Sequence, residues 1–249
     1  MKQTDSSTPL IEAVNLAVTS ARHPELVLVH DINWQVVAGD YWVVGGSHAS
    51  GKSDLLSTAA GLQSPGSGRL RLFGADTSNL VEAELLQQRL RAGTVFKNGG
   101  RMFAHLTVAE NIALPLRYHR DQHFDQTQGR VNALLELTGL QEFAHQTARM
   151  IGTNWQQRVG LARALALEPS LLFLDEPLAG LDAQHRNWWL DFLAQLSAGK
   201  NRAAQQPTTL VVAVNDFGPW AAHGHQFAFI KEKHWQVLGG QTELKTQNF

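Results

Sequence analysis

At 249 residues the chain is long enough for one large domain or two small ones, and a 43% hydrophobic content supplies a full core. Lys and Arg total 21 against 22 Asp and Glu, a formal net charge of -1, which leaves no basic footprint for nucleic acid and no acidic tail. There is no cysteine, so disulfides and thiolate metal sites are excluded.

In chain order, residues 1–9 read as a loose tail. Segments at Ile11–Thr19, Leu26–Val29, Ile32–Val37 and Tyr41–Val44 are divided by Pro24, Asp31 and the Gly39-Asp40 turn signal. They predict antiparallel strands feeding a buried strand, WVV. Gly45 begins a glycine-rich loop, and Ser53–Leu62 reads as a helix stopped by Ser64-Pro65-Gly66. Arg69–Phe73 is a further strand, and Glu82–Arg91 a helix with a polar face. From Val108 to Ala144 apolar residues recur at helical spacing, interrupted by Pro115 and by HRDQHFDQTQGR. Trp155–Ala166 is helical and ends before Pro169. LLFLD (171–175) and TLVVAV (209–214) are short apolar runs of the kind that form central parallel strands. An amphipathic helix lies between them around Trp188–Leu196, and FAFIKEKHWQVLG reads as a hairpin. Strands alternating with helices imply an α/β fold, without repeats or a domain-length linker.

GSHASGKS comprises Gly46, Ser47, His48, Ala49, Ser50, Gly51, Lys52 and Ser53, and matches G-x-x-x-x-G-K-[ST] between a strand and a helix. Its glycines let backbone N–H groups curl around phosphate oxygens at a helix N-terminus. Lys52 reaches the β- and γ-phosphates, and the Ser53 hydroxyl ligates Mg2+. LLFLDEP completes the site: the strand delivers Asp175 to its end, to hold Mg2+ through water. Glu176 follows, placed to polarise an attacking water. A glycine-rich turn and a helix-capping Asp-Glu are the bland readings of each motif alone, but together they point to a nucleoside triphosphate with Mg2+.

Over nearly its whole length the chain resembles the ATPase subunit of an ATP-binding cassette (ABC) transporter. The matching segments are GSHASGKS (Walker A), TVFKNGGRMFAHLTVAENIALPL (the Q-loop region), WQQRVGLARALALEPSLLFLDEPLAGLD (post-signature helix, Walker B and D-loop) and TTLVVAVNDF (the switch strand). The resemblance implies a P-loop fold with a RecA-like core, an antiparallel β subdomain and a helical subdomain. The chain would form a single domain, with core residues 1–96 and 157–249 and helical residues 97–156. It also implies a dimer with a second ATPase subunit, identical or not, enclosing ATP between Walker A and the opposing signature loop, and docking on a membrane permease. Asp182 would communicate across the dimer. LTVAENIALPL resembles the lipid-asymmetry and solvent-resistance branch, which would make the cargo phospholipid and add an MCE-type substrate-binding protein. No apolar run approaches the roughly 18 residues that span a bilayer, and MKQTDSSTPL lacks a signal-peptide core. The chain is therefore expected to be soluble and peripheral, on the cytoplasmic face of the membrane.

Against that family the chain departs at several positions. Where the signature reads Leu-Ser-Gly-Gly, it has Ile151, Gly152, Thr153 and Asn154. Gly152 lacks the hydroxyl that would meet the γ-phosphate, and Thr153 and Asn154 add Cβ atoms, Asn tolerating positive φ better. The helix after them still offers a positive end. Lys97 replaces the Q-loop glutamine, as a phosphate contact or a solvated lysine. Asn215 replaces the switch histidine and bonds phosphate without titrating near neutrality. Asp54 sets a carboxylate near the α-phosphate, opposing the field of the loop. Ser20 stands about where an aromatic residue would stack on adenine. Two accounts fit: a slow ATPase, or a nucleotide-sensing or structural subunit that hydrolyses little. A soluble cassette protein of DNA repair or translation lacks support, with no coiled-coil insertion, second cassette or basic patch.

Weaker signals have bland readings. His119 and His123 could bind a metal from one helical face, or lie in a solvated turn. His48 faces solvent by default. Of Trp188 and Trp189, one belongs to the core and the other could anchor a partner. Trp155 packs under the helical lobe or rests on nucleotide or the opposing subunit.

Overall fold

The computed structural model describes residues 8–200 and 207–244. The tail expected at 1–9 lies outside them except for Thr8 and Pro9. In order the elements are β1 (Ile11–Thr19), β2 (Val27–Val36), β3 (Tyr41–Gly46), α1 (Lys52–Ala59), β4 (Ser67–Leu72), β5 (Ala75–Asp76), α2 (Glu82–Arg89) and β6 (Ala92–Val95). There follow α3 (Val108–His119), α4 (Phe124–Thr138), α5 (Thr153–Leu165), β7 (Leu171–Asp175), α6 (Ala183–Ser197), β8 (Thr209–Val214), β9 (Gln226–Lys231), β10 (His234–Gly239) and α7 (Gln241–Leu244).

One sheet runs in the order β5-β4-β1-β2-β10-β9-β3-β8-β7-β6. Strands β9, β3, β8, β7 and β6 are mutually parallel, whereas β1 pairs antiparallel with β2 and β4. The central strands β3, β7 and β8 are buried on both faces, which is why they read as apolar runs. Tyr41 and Val43 of β3, with Leu172 and Leu174 of β7, join a core shared with the helices α3, α4, α5 and α6. Trp42 and Val44, with Leu171 and Phe173, face the other way, onto α1 and the antiparallel strands. Alternation along each strand thus ties one sheet to two cores.

The predicted elements differ from the fold in several places, among them β5 and α7, which no prediction covered. Asp31 does not divide two strands. It takes a left-handed φ of 59° inside a continuous β2, a conformation its short polar side chain tolerates. The four residues of β6 carry too little apolar patterning to announce a strand. Pro115 interrupts nothing, since α3 runs through it to His119. Its missing N–H leaves the Asn111 carbonyl without a helical partner, and the buried faces of α3 hold the helix nonetheless. His119 closes α3 while His123 caps α4, so both lie in an exposed turn rather than on one helical face.

Helix α3 starts at a capping box: the Thr107 hydroxyl accepts from the Glu110 amide at 3.1 Å, and the Glu110 carboxylate from the Thr107 amide at 2.8 Å. Helix α5 begins at Thr153 and crosses residue 156, the expected limit of the helical portion.

Candidate functional site

Four adjacent parallel strands, in the order β3-β8-β7-β6, each end in a residue of the site. After β3 comes the glycine-rich loop with Lys52, after β8 comes Asn215, after β7 Glu176, and after β6 Lys97. The strand ends place these side chains in a row. Lys52 donates to Asn215 Oδ1 at 3.0 Å, Asn215 lies close enough to Glu176 to help lower its carboxyl, and Lys97 donates to Glu176 Oε2 at 2.6 Å. Lys52 spends its other donors on the carbonyls of Gly46 and Ser47, both at 2.8 Å.

The loop closes through Ser50 N–H to Ser47 O at 3.2 Å. Gly51 sits at φ +94°, and a Cβ there would stand 2.9 Å from Leu28 Cβ, so both the backbone and its neighbour require glycine. No side chain caps α1, leaving its first amides without helical partners. Ser47, His48, Ala49 and Ser53 are exposed, Ser50 is half-buried and Lys52 is buried, which gives the loop a polar face to solvent above an anchored cation.

The Ser53 hydroxyl lies near enough to the Asp175 carboxylate to lower it, and Asp175 Oδ1 is buried without a partner. Burial, and then the neighbouring Glu176 charge, push the Asp175 carboxyl above its ordinary value, with Ser53 and the two lysines pulling the other way. An orphaned carboxylate oxygen beside a hydroxyl is a donor set that fits Mg2+, whose preferred ligands are oxygens. At Glu176, burial acts upward but is outweighed by the Lys97 hydrogen bond and the charges of Lys97 and Lys52, so its carboxyl lies below the usual range. Burial lowers Lys52 from its ordinary value, against the raising effect of Glu176 and Asp175. A cavity of about 220 Å³ opens beside the row, lined in part by Glu176, Pro177, Arg186, Asn215 and Trp220.

Several sequence expectations change here. Lys97 is exposed on its loop and pairs there with Glu176. Asn215 faces Lys52 and Glu176. Asp54 accepts the Ala21 N–H at 2.8 Å, so its carboxylate anchors the loop after β1. Ser20, in that loop, accepts through its hydroxyl from Arg22 and His23 amides at 3.2 and 3.3 Å. Thr153 and Asn154 need no positive φ: Gly152 caps α5 with φ -63° and the helix begins directly after it. Asn154 donates to Asp182 Oδ2 at 2.6 Å. Trp155 packs on Phe143 and His185, at ring separations of 4.8 and 4.9 Å. Arg158 stacks between Trp155 and Trp188, 4.6 and 3.7 Å from their rings. Trp189 is fully buried and Trp188 lies parallel to Phe192.

Sequence reasoning passed over His185. It is buried, with Nδ1 2.9 Å from Asp182 Oδ2 and Nε2 unpartnered. The signal was local: Asp182 caps α6, and a residue three positions past a cap lies against it.

A phosphate loop, an acidic strand end and two lysines at the carboxyl edge of a parallel sheet define a P-loop nucleotide-binding protein of the cassette class. The model of the ABC transporter family matches residues 29–179, and the chain belongs to that family, whose members are ATPases that use ATP with Mg2+. A probable sulfate/thiosulfate import ATP-binding protein CysA of Chlorella vulgaris is 40% identical over 165 residues, 66% of this chain and 67% of the relative. Methionine import ATP-binding protein MetN 1 of Rhodococcus jostii (strain RHA1) is 37% identical over 169 residues, 68% of this chain but 49% of the relative. The chain thus spans about two thirds of the first and half of the second. A dimeric, ADP- and Pi-bound post-hydrolysis structure of the cassette MJ0796 superposes with TM-score 0.80 at 25% identity, over 92% of this chain and 99% of that one. CbiO1 from Clostridium perfringens, part of the ABC transporter complex cbiONQ, superposes with TM-score 0.81 at 20% identity, over 97% and 92%; at that identity the likeness shows fold alone. Among the described residues no helix is long and apolar enough to cross a membrane.

Proposed function

We propose that this chain is the ATP-hydrolysing subunit of a transporter, driving cargo through a separate membrane permease. The observation that carries this reading is the row Lys52, Asn215, Glu176 and Lys97 set beside Ser53 and Asp175. The loop amides from Gly46 to Lys52, with the Lys52 ammonium, hold the β- and γ-phosphates at the N-terminus of α1. Ser53 and Asp175 would hold Mg2+, which would supply neutralisation of phosphate charge. Glu176, ionised near neutrality, takes the proton of the attacking water, and Asn215 orients that carboxylate. A second subunit, this chain or another, brings Gly152, Thr153 and Asn154 with the positive end of α5 to the triphosphate. The core of residues 1–96 and 157–249 carries the loop and the strand ends, and residues 97–156 face the permease.

The supporting test is steady-state ATP turnover of the chain co-purified with its membrane partner. Turnover that both Glu176→Gln and Lys52→Ala abolish is expected; turnover that survives both would overturn the reading. A second reading, a subunit that binds ATP and hydrolyses little, is favoured by the pairing of Glu176 with Lys97 and by the missing hydroxyl at Gly152. It predicts bound ATP without turnover above the two variants.

For cargo, LTVAENIALPL supports phospholipid and an MCE-type binding protein, with the chain peripheral on the cytoplasmic face. The relatives above are named for sulfate, thiosulfate and methionine import. Stimulation of turnover by phospholipid, against sulfate or methionine presented with a binding protein, distinguishes these cargoes.

A further inference from the structure

We propose that Lys97 is a second cation for the triphosphate, exchanged between two anions: it pairs with Glu176 until a γ-phosphate takes it away. The site therefore discriminates triphosphate from diphosphate and frees the Glu176 carboxylate only when a γ-phosphate is present. This rests on the reading that the Lys52 loop binds nucleotide.

Register carries the first part of the argument. Strands β6 and β7 are parallel with Val95 opposite Leu174, so Lys97 and Glu176, each two residues further on, leave the sheet at the same level. Their 2.6 Å contact follows from the sheet rather than from a chance side-chain arrangement. Glu176 is also the neighbour of Asp175, whose buried Oδ1 has no partner and would suit the metal of a bound nucleotide. A γ-phosphate held by Lys52 arrives on the row that already contains Lys97.

The second part is which partner can move. The Glu176 side chain is 10% exposed and the Lys97 side chain 41%, so the carboxylate is the fixed member and the ammonium the mobile one. The backbone of Lys97 is fixed as well. Asn98, Gly99 and Gly100 all take positive φ, and Gly99 lies so close to α5 that a Cβ on Gly160 would stand 2.5 Å from Gly99 O. Only the four-carbon stem of Lys97 is free to swing. A half-exposed ion pair is weakly held, whereas a terminal phosphate offers greater charge and three acceptor oxygens. Competition therefore favours the phosphate. A diphosphate lacks that group, and Lys97 stays on Glu176.

The test is equilibrium binding of ADP and of a non-hydrolysable ATP analogue to the full chain, with Mg2+ and with chelator. The variants are Lys97→Gln, Lys97→Arg, Glu176→Gln and the Lys97→Gln/Glu176→Gln pair, with Lys52→Ala as the site control. Loss of one charge-assisted contact predicts that Lys97→Gln weakens the triphosphate about tenfold or more and ADP less than about twofold. Lys97→Arg should retain most of the preference. Glu176→Gln should tighten triphosphate binding alone, and that gain should vanish in the double variant. The Lys97→Gln loss should grow with chelator, when fewer cations share the phosphate. Equal effects on ADP and triphosphate, or none, would overturn the proposal and leave Lys97 a fixed partner of Glu176. If Lys52→Ala leaves both ligands bound as before, the nucleotide-site reading fails first, and is separately identified.

Discussion

Lys97 and Glu176 meet at 2.6 Å because they follow directly opposed residues of two adjacent parallel strands. A lysine at this place in the row sets a full positive charge against the carboxylate best positioned to activate water. With Lys52 held by Gly46, Ser47 and Asn215, both cations of the site are occupied internally. Nucleotide must compete for each of them.

That competition has a kinetic signature. Lys97→Gln is expected to raise the KM for ATP about tenfold, the value of one charge-assisted bond, while leaving kcat within about threefold. Steady-state kinetics of the co-purified complex read both. A fall in kcat at unchanged KM would place Lys97 in the chemical step instead.

Asn215 spans the gap between Lys52 and Glu176. Asn215→Ala removes an acceptor from Lys52 and a polar neighbour from Glu176, but Lys52 keeps two carbonyl partners. Turnover should fall about 10- to 100-fold, in the range of a lost positioning contact in acid–base catalysis, with nucleotide affinity changed only severalfold. Parallel turnover and binding measurements separate the two effects.

Gly152 leaves room for a side chain. Its φ is -63°, and the nearest atom to an added Cβ is Trp155 Cδ1 at 4.0 Å. Gly152→Ser is therefore expected to fold with stability unchanged or raised by a few tenths of a kcal/mol, since serine is the better N-cap. The added hydroxyl also restores a donor for phosphate, so ATP-dependent dimerisation should strengthen. Denaturant unfolding and light scattering with ATP test each half.

Gly160 gives a contrasting case. A Cβ there would press on Gly99, with backbone atoms at 2.5, 2.7 and 2.9 Å. Gly160→Ala should cost about 1–3 kcal/mol as overpacking and displace the loop that aims Lys97. Urea unfolding gives the stability, and the ratio of triphosphate to diphosphate affinity reports the loop.

The capping box of α3 supplies a pH dependence. The Thr107 backbone and side-chain hydrogen bonds hold the Glu110 carboxyl below its ordinary value, outweighing a small effect of burial. A depressed folded-state pKa adds stability that is present above the unfolded value, near ~4.3, and is lost as pH falls through the lower folded value. Thr107→Ala should cost about 1 kcal/mol at pH 7, and the gap to the unmodified chain should narrow as pH drops below about 4. Thermal unfolding across that range measures it.

Much of the fold was legible because its signals are local. Apolar runs such as LLFLD and TLVVAV report burial on both faces, and GSHASGKS reports a loop opening a helix. Other features were hidden for physical reasons. The strand β6 is short and only partly apolar. Asp31 and Pro115 are breakers by propensity, yet tertiary packing carries the chain through both. Asp54 was read from its nearness to phosphate, while the amide it serves, at Ala21, is 33 residues away in sequence.

The sequence by itself determined the family, the order of the elements and the identity of the residues at the strand ends, since each depends on neighbours along the chain. Only the tertiary structure decided what those residues touch. The order β3-β8-β7-β6 is not the order of the chain, and it is this order that links Lys52, Asn215, Glu176 and Lys97 in a row. Strand register then sets Lys97 against Glu176 and leaves Asn215 between the two charges, because hydrogen bonding between backbones fixes the level at which each strand ends.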